Sequence, residues 1–240
     1  QVGLALLWSL PLALAAAVFL NESRSKWRRP VRIFVDAMSG LPSIVAGLFI
    51  FATLILPFAK SGNPLFGYNG FMASLALAIT MLPTITRTVE VVLRLVPDGL
   101  REASLALGAS RARTVWSVVF PTARTGMTTA VVLGIARAVG ETAPLLFTSF
   151  GYDLMNSNPF AGSQESLPLF VYRNIRKPDI AAVQRGFAGA LVLMLIVLAL
   201  FAVARFIGRD RTKRKSRATK PQNAVAAPAK KQPLKGGDND

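Results

Sequence analysis

The 240-residue chain contains no cysteine and no histidine. Disulfides, thiol nucleophiles, imidazole bases and most transition-metal sites are thereby excluded together. Charge is scarce as well: Asp, Glu, Lys and Arg make up 17% of the residues against 52% hydrophobic ones, and mean hydropathy is +0.44. That balance is too apolar for a soluble domain of this length and points to a membrane protein. A phosphate-cradling Gly-Lys-Ser/Thr loop is also missing, so ATP chemistry, if the protein depends on it, belongs to another chain.

What the sequence has instead is five apolar runs, each long enough to cross a hydrocarbon core, which takes about 20 helical residues. They are Val2–Leu20, Ala37–Ala59, Phe71–Thr86 with its continuation toward Leu95, Thr125–Leu146 and Gly186–Ala204. Lipid offers backbone groups no hydrogen-bond partner, and none of the runs alternates like a barrel strand, so all five are expected to be helices. The predicted fold class is all-α, a polytopic transmembrane helical bundle over residues 1–208. Pro and Gly within the runs, among them Pro11, Pro42, Gly47, Pro57, Pro83, Gly134, Gly140 and Pro144, suit kinks and close helix approach in any membrane bundle.

The formal charge of +16 is segregated instead of lining a groove, which argues against a nucleic-acid partner. From Arg209 onward ten Lys/Arg face three Asp/Glu, so the tail alone supplies +7. Residues 209–240 carry no apolar face and are expected to be disordered, a basic cytoplasmic anchor for anionic membrane lipid. Lys/Arg counts between the runs are five (Asn21–Asp36), one (Lys60–Gly70), six (Arg87–Arg124), four (Phe150–Arg185) and eleven from Arg205. Positive segments stay inside, giving loops that alternate in, out, in, out, in, with a cytoplasmic C-terminus. Residue 1 then lies outside on the edge of a span, which suggests that an earlier span is missing.

The loop between the third and fourth runs carries Glu102-Ala103-Ser104, three residues, Gly108, nine residues, Val118, one residue, and Phe120-Pro121. Its spacing predicts a helix-turn-helix. Asp98 caps a short helix with Glu102 in its first turn, Gly108 supplies a left-handed turn, and Pro121 stops a second helix running from Ala109 to about Phe120. This pattern resembles the E-A-A-x3-G-x9-I-x-L-P motif of ABC-importer permeases, with Ser104, Val118 and Phe120 as conservative departures. The resemblance implies that residues 97–121, and in particular Glu102, Ala103, Ser104, Gly108 and Pro121, dock on a partner ATPase and pass its closure to the membrane helices.

The fourth run contains Arg137 and Glu141, four residues apart and so expected on one helix face near mid-membrane. Intramembrane charge costs at least about 2.5 kcal/mol for an Arg, so the pair should face a cavity or a partner. An Arg fork suits an oxyanion, with Glu141 holding it in place; a purely structural ion pair is the alternative. Arg87 and Arg94 lie toward the inner end of the third run, where snorkelling suffices and Glu90 simply pairs with them.

The string from Ala136 to Thr148, Ala-Arg-Ala-Val-Gly-Glu-Thr-Ala-Pro-Leu-Leu-Phe-Thr, is similar to the signature of PstA-type permeases of bacterial phosphate importers. Ser39–Gly47 and Ser166–Tyr172 resemble the same family; Ser39 and Pro42 read locally as helix-start residues, and Leu167-Pro168 as structural. The resemblance implies a non-catalytic permease subunit of six spans in the bacterial cytoplasmic membrane, with inorganic phosphate as substrate and Arg137, Glu141 and Thr142 on its path. Implied partners are a second homologous permease, an ATPase dimer that binds ATP and Mg, and an extracytoplasmic phosphate-binding protein. The residues leave open another oxyanion such as sulfate, molybdate or phosphonate, and a scaffold or sensor subunit, although a scaffold needs no ATPase-docking loop. A secondary transporter would be short at five or six spans.

Overall fold

The computed structural model describes residues 1–209 apart from Arg24; the expected tail, beyond Arg209 itself, lies outside the described residues. The described residues form helices joined by short loops and one long one over 149–166: α1 (Val2–Glu22), α2 (Arg28–Gly40), α3 (Ser43–Ser61), α4 (Gly70–Arg94), α5 (Asp98–Ala106), α6 (Arg111–Val139), α7 (Ala143–Thr148), α8 (Leu167–Ile175) and α9 (Ile180–Arg209). Five of them, α1, α3, α4, α6 and α9, are long and apolar enough to span a membrane.

At the centre stands α4, which packs against α1, α6, α3 and α7. Ala73, Leu77, Met81, Ile85, Val89 and Leu93 recur every fourth residue along it, and all are buried. Facing this ridge, α1 presents Ala5, Ser9, Ala13 and Ala17 at the same spacing, also buried. Small side chains let the backbones come close, and in lipid such van der Waals contact replaces the hydrophobic drive that water would supply. A second small-residue row, Gly126, Ala130, Gly134 and Ala138, runs along α6. A Cβ on Gly126 would sit 2.5 Å from Val92 and one on Gly134 would sit 2.6 Å from Ile85, so α6 presses on α4 as α1 does.

Three boundaries differ from expectation. The second span begins at Ser43, because Ala37–Gly40 close the amphipathic helix α2 and Pro42 directs extended backbone into α3. Ser39 therefore lies in the last turn of α2, its hydroxyl donating to the Asp36 carbonyl at 2.7 Å, and is not a helix start. The fourth span is one helix from Arg111 to Val139, interrupted afterwards at Gly140–Thr142 and resumed as α7. Pro121 does not stop it: the helix widens to a π turn over Val115–Val119, with the Phe120 amide donating to the Val115 carbonyl. That five-residue step loosens the turn into which the proline ring would otherwise press.

At the opposite end of α4, buried Asn69 caps the helix by accepting from the Met72 amide at 2.8 Å, and donates to the carbonyls of Pro64 and Leu65 at 2.9 Å each. The Asn69 amide donates to Thr148 at 3.1 Å and that of Phe71 to Pro159 at 2.7 Å, fastening the 149–166 loop over this end. Helix α9 rests on α8, with Gly186 against Ile175 and Gly189 against Phe170, and leaves most of its apolar surface uncovered within the chain.

The interrupted span is held where α3 crosses α7. A Cβ on Gly47 would fall 2.6 Å from the Pro144 Cα and 2.7 Å from its carbonyl oxygen, so this crossing admits only glycine. Gly47→Ala should destabilise the fold by about 1–3 kcal/mol through overpacking. Thermal unfolding in detergent should register the loss against Gly40→Ala, where nothing lies within 4 Å.

Candidate functional site

The surface hairpin forms as its spacing requires, with corrections at its start. Asp98 is the first residue of α5, not its cap; its carboxylate accepts from Arg101 at 2.9 Å, and Glu102 consequently falls in the second turn. The end of α5 follows the sequence reading: Gly108 has φ +82°, its amide donates to the Leu105 carbonyl at 2.9 Å, and the Ala109 amide reaches Ser104 at 3.2 Å. These are the two bonds of a Schellman C-cap, which a left-handed glycine permits. Ser110 then caps α6 by accepting from the Arg113 amide, and Ser104 and Thr114 share a hydroxyl hydrogen bond of 2.9 Å that ties the helices together. Ala103, Leu105 and Leu107 are exposed, while Pro121 lies well beyond the turn, inside α6.

Arg137 and Glu141 are paired, with Nε 3.4 Å from Oε1, but not along a continuous helix. After Val139 the backbone tightens, the Gly140 and Glu141 amides reaching back three residues to Arg137 and Ala138. Glu141 is largely covered while the Arg137 side chain is 57% exposed, so the guanidinium looks into open space. It lines a cleft of about 140 Å³ together with Ser39, Ser43, Thr80, Thr84 and Arg87. Pro83 also lines this cleft and has no N–H for the Ile79 carbonyl, leaving that acceptor without a helical donor. Thr142 is not part of the cleft lining; it sits at the start of α7 without a side-chain cap bond.

Snorkelling does not describe Arg87 and Arg94. Glu90, only 2% exposed, accepts from Arg32 at 2.5 Å, Arg94 at 2.5 Å and Arg87 at 2.6 Å. Arg87 also pairs with Asp36. The five groups join α2 to α4, and Arg87 belongs both to this cluster and to the cleft that holds Arg137. The sequence contained half of the signal: Arg87, Glu90 and Arg94 at i, i+3 and i+7 share one face of α4. The contribution of Arg32 and Asp36 depends on how α2 folds back.

Arg101, which no motif singled out, reaches furthest of any side chain in the hairpin. Its guanidinium donates to the carbonyls of Leu93 at 2.8 Å and Val96 at 2.6 Å, and to Glu22 at 3.1 and 3.2 Å. Arg173 of α8 pairs with two residues of the 149–166 loop, Glu165 at 2.7 Å and Asp153 at 3.2 Å. Burial nevertheless pushes the Glu165 carboxyl above its ordinary value, the Ser166 amide and Arg173 offsetting this only in part.

Apolar helices closed around one central helix, a span broken at a charged pair, and a helical hairpin projecting from the bundle together define a multi-pass membrane permease. Residues 9–213 match the family described as binding-protein-dependent transport system inner membrane component, and the chain belongs to that family. It is 39% identical to the phosphate transport system permease protein PstA 1 of Mycobacterium tuberculosis, over 90% of this chain and 69% of that protein. With PstA of Mycobacterium leprae the identity is 41% over 88% and 69% of the two chains, and with PstA of Yersinia pestis 35% over 85% and 69%. Among solved structures, an amino acid ABC transporter superposes with TM-score 0.62 at 15% identity, covering 87% of both chains. The MetNI methionine ABC transporter in inward-facing form gives 0.59 at 20% identity, covering 87% of this chain and 89% of that one. The protein is thus a non-catalytic permease subunit of an ABC importer, a class that works with an ATPase and a binding protein.

Removing the buried carboxylate would strand the guanidiniums of Arg32 and Arg94 and leave Arg87 with Asp36 alone. Glu90→Ala should cost about 3 kcal/mol, the low end for an uncompensated buried charge because the arginines keep partial access to solvent. Denaturant unfolding in detergent should show the loss, and a variant as stable as the parent would reduce the cluster to a surface ion pair.

Proposed function

We propose that the substrate is inorganic phosphate, passed inward along a path that includes the Arg137 cleft, and that the α5–α6 hairpin docks on the partner ATPase. The cleft carries the substrate reading. Two guanidiniums, from Arg87 and Arg137, and hydroxyls from Ser39, Ser43, Thr80 and Thr84 converge on one small volume, a donor set suited to a tetrahedral oxyanion. Three of these hydroxyls, on Ser39, Thr80 and Thr84, donate to carbonyls of their own helices and can rotate toward an anion. Glu141 favours phosphate over sulfate: phosphate near neutral pH carries a proton that a carboxylate beside Arg137 can accept, whereas sulfate offers only acceptors and would meet like charge. The named function of the PstA relatives points the same way.

In the mechanism this supports, a binding protein delivers phosphate on the outer face and ATP with its Mg is bound by an ATPase pair. Closure of that pair moves the hairpins and opens the path outward; hydrolysis returns it inward. Glu102, Ala103, Ser104 and Gly108 form the docking helix and its turn, Pro121 carries the movement on into α6, and Thr142 lies beside the path at the start of α7. A second homologous permease completes the pore. The positive-rich segments support a cytoplasmic hairpin and C-terminus.

Arg137→Ala should abolish phosphate flux in proteoliposomes by a complex that still hydrolyses ATP, and Glu141→Gln should let sulfate compete with phosphate more strongly. Unchanged flux would reduce the pair to structure, and parent-like transport of sulfate with indifference to phosphate would reassign the substrate. Gly108→Val places a β-branched residue at φ +82°, a strain of about 1–2 kcal/mol per residue, and should weaken ATPase docking or coupling. Normal hydrolysis stimulated by the binding protein in that variant would count against the hairpin as the docking element.

A further inference from the structure

Arg101 is the only residue of the hairpin that hydrogen-bonds to α1 among the described residues. Its side chain is 14% exposed. One edge of the guanidinium grips the carbonyls of Leu93, in the last turn of α4, and of Val96, just beyond it. Another reaches Glu22, the last residue of α1, through both Nε and Nη2. A fifth bond, to Asp98, keeps the side chain aligned with its own helix. The link between α4 and α5 is otherwise a short stretch of chain from Leu95 to Pro97, which constrains position but not rotation. A rigid planar fork bonded to two helix ends at once constrains both.

We infer that Arg101 is the positioning residue through which movement of the hairpin reaches α1 and α4. The inference rests on the reading that the hairpin docks on the ATPase. Pushed by its partner, α5 draws the ends of α1 and α4 with it because three donors of one planar group are bonded to them. Those are the two helices packed along the small-residue ridge, so displacement at their ends is carried along the bundle. Lysine keeps the charge, but its three donors sit on one nitrogen without a planar fork, and it cannot span Glu22 and both carbonyls together.

The test uses the assembled importer in proteoliposomes, with its ATPase, partner permease and binding protein, and reads phosphate transported per ATP hydrolysed. Arg101→Ala and Glu22→Ala should each retain the ATPase subunit yet lower that ratio by about two- to thirtyfold, the range for loss of one coupling contact. Arg101→Lys should fall between. The double variant should be no worse than Arg101→Ala, since both remove one contact; fully additive losses would overturn the pairing. A parent-like ratio in both single variants would overturn the inference. Should Arg101→Ala fail to fold, Glu22→Ala carries the test, because the Glu22 side chain is part-exposed at a helix end and its removal leaves the carbonyl bonds intact. If Gly108→Val uncouples the complex while Arg101→Ala and Glu22→Ala do not, only the role of Arg101 fails; if none of the three does, the docking reading fails as well.

Discussion

The close approach of three helix backbones along α4 is the contact on which the rest depends. Lipid supplies no hydrophobic force between apolar helices, so the bundle holds through interlocked van der Waals surfaces. Large side chains on α4 from Leu77 to Leu93 fill the space opened by Ala5, Ser9, Ala13 and Ala17 on one side and by Gly126, Ala130, Gly134 and Ala138 on the other. Thr86 lies in the same seam and returns its hydroxyl to Leu82 of its own helix at 2.7 Å. With α4 so located, both of its ends become fixed points: Asn69 organises one, and Glu90 and Arg101 use the other.

Burying Glu90 costs desolvation energy that one arginine would offset poorly, and three donors with short bonds offset it better. That arrangement also determines where α2 lies, since Arg32 and Asp36 are its contributions. The apolar residues Ile33 and Phe34 of the same helix remain exposed and are available to lipid or to another subunit. Arg87 joins the cluster to the cleft, so an anion that engaged Arg87 would act on the α2–α4 contact as well.

Interruptions in helices make the site. A continuous fourth span would keep Arg137 and Glu141 on one regular face, whereas the break at Gly140 covers Glu141 and leaves Arg137 open to the cleft. The crossing of Gly47 and Pro144 holds that break in place. Ile79, whose carbonyl Pro83 frees, and hydroxyl-bearing residues of α2, α3 and α4 line the same space.

Much of this could be read in the chain itself. Length and apolarity of the runs determined an all-α membrane bundle, with five helices among the described residues long and apolar enough to span, because a backbone in lipid must satisfy itself. The left-handed turn at Gly108 was legible because only glycine adopts it without strain, and the pairing of Arg137 with Glu141 followed from their spacing. The rest required distant segments to meet. Pro121 sits inside α6 because a π turn absorbs it, which no local rule announced. Arg32 reaches Glu90, Asp36 reaches Arg87, and Arg101 reaches Glu22, across 58, 51 and 79 residues of chain, as the numbering shows. Sequence spacing reports neighbours on one helix; which helix faces which is decided by the matching of large and small side chains in the folded bundle, and that matching placed Arg87 beside Arg137.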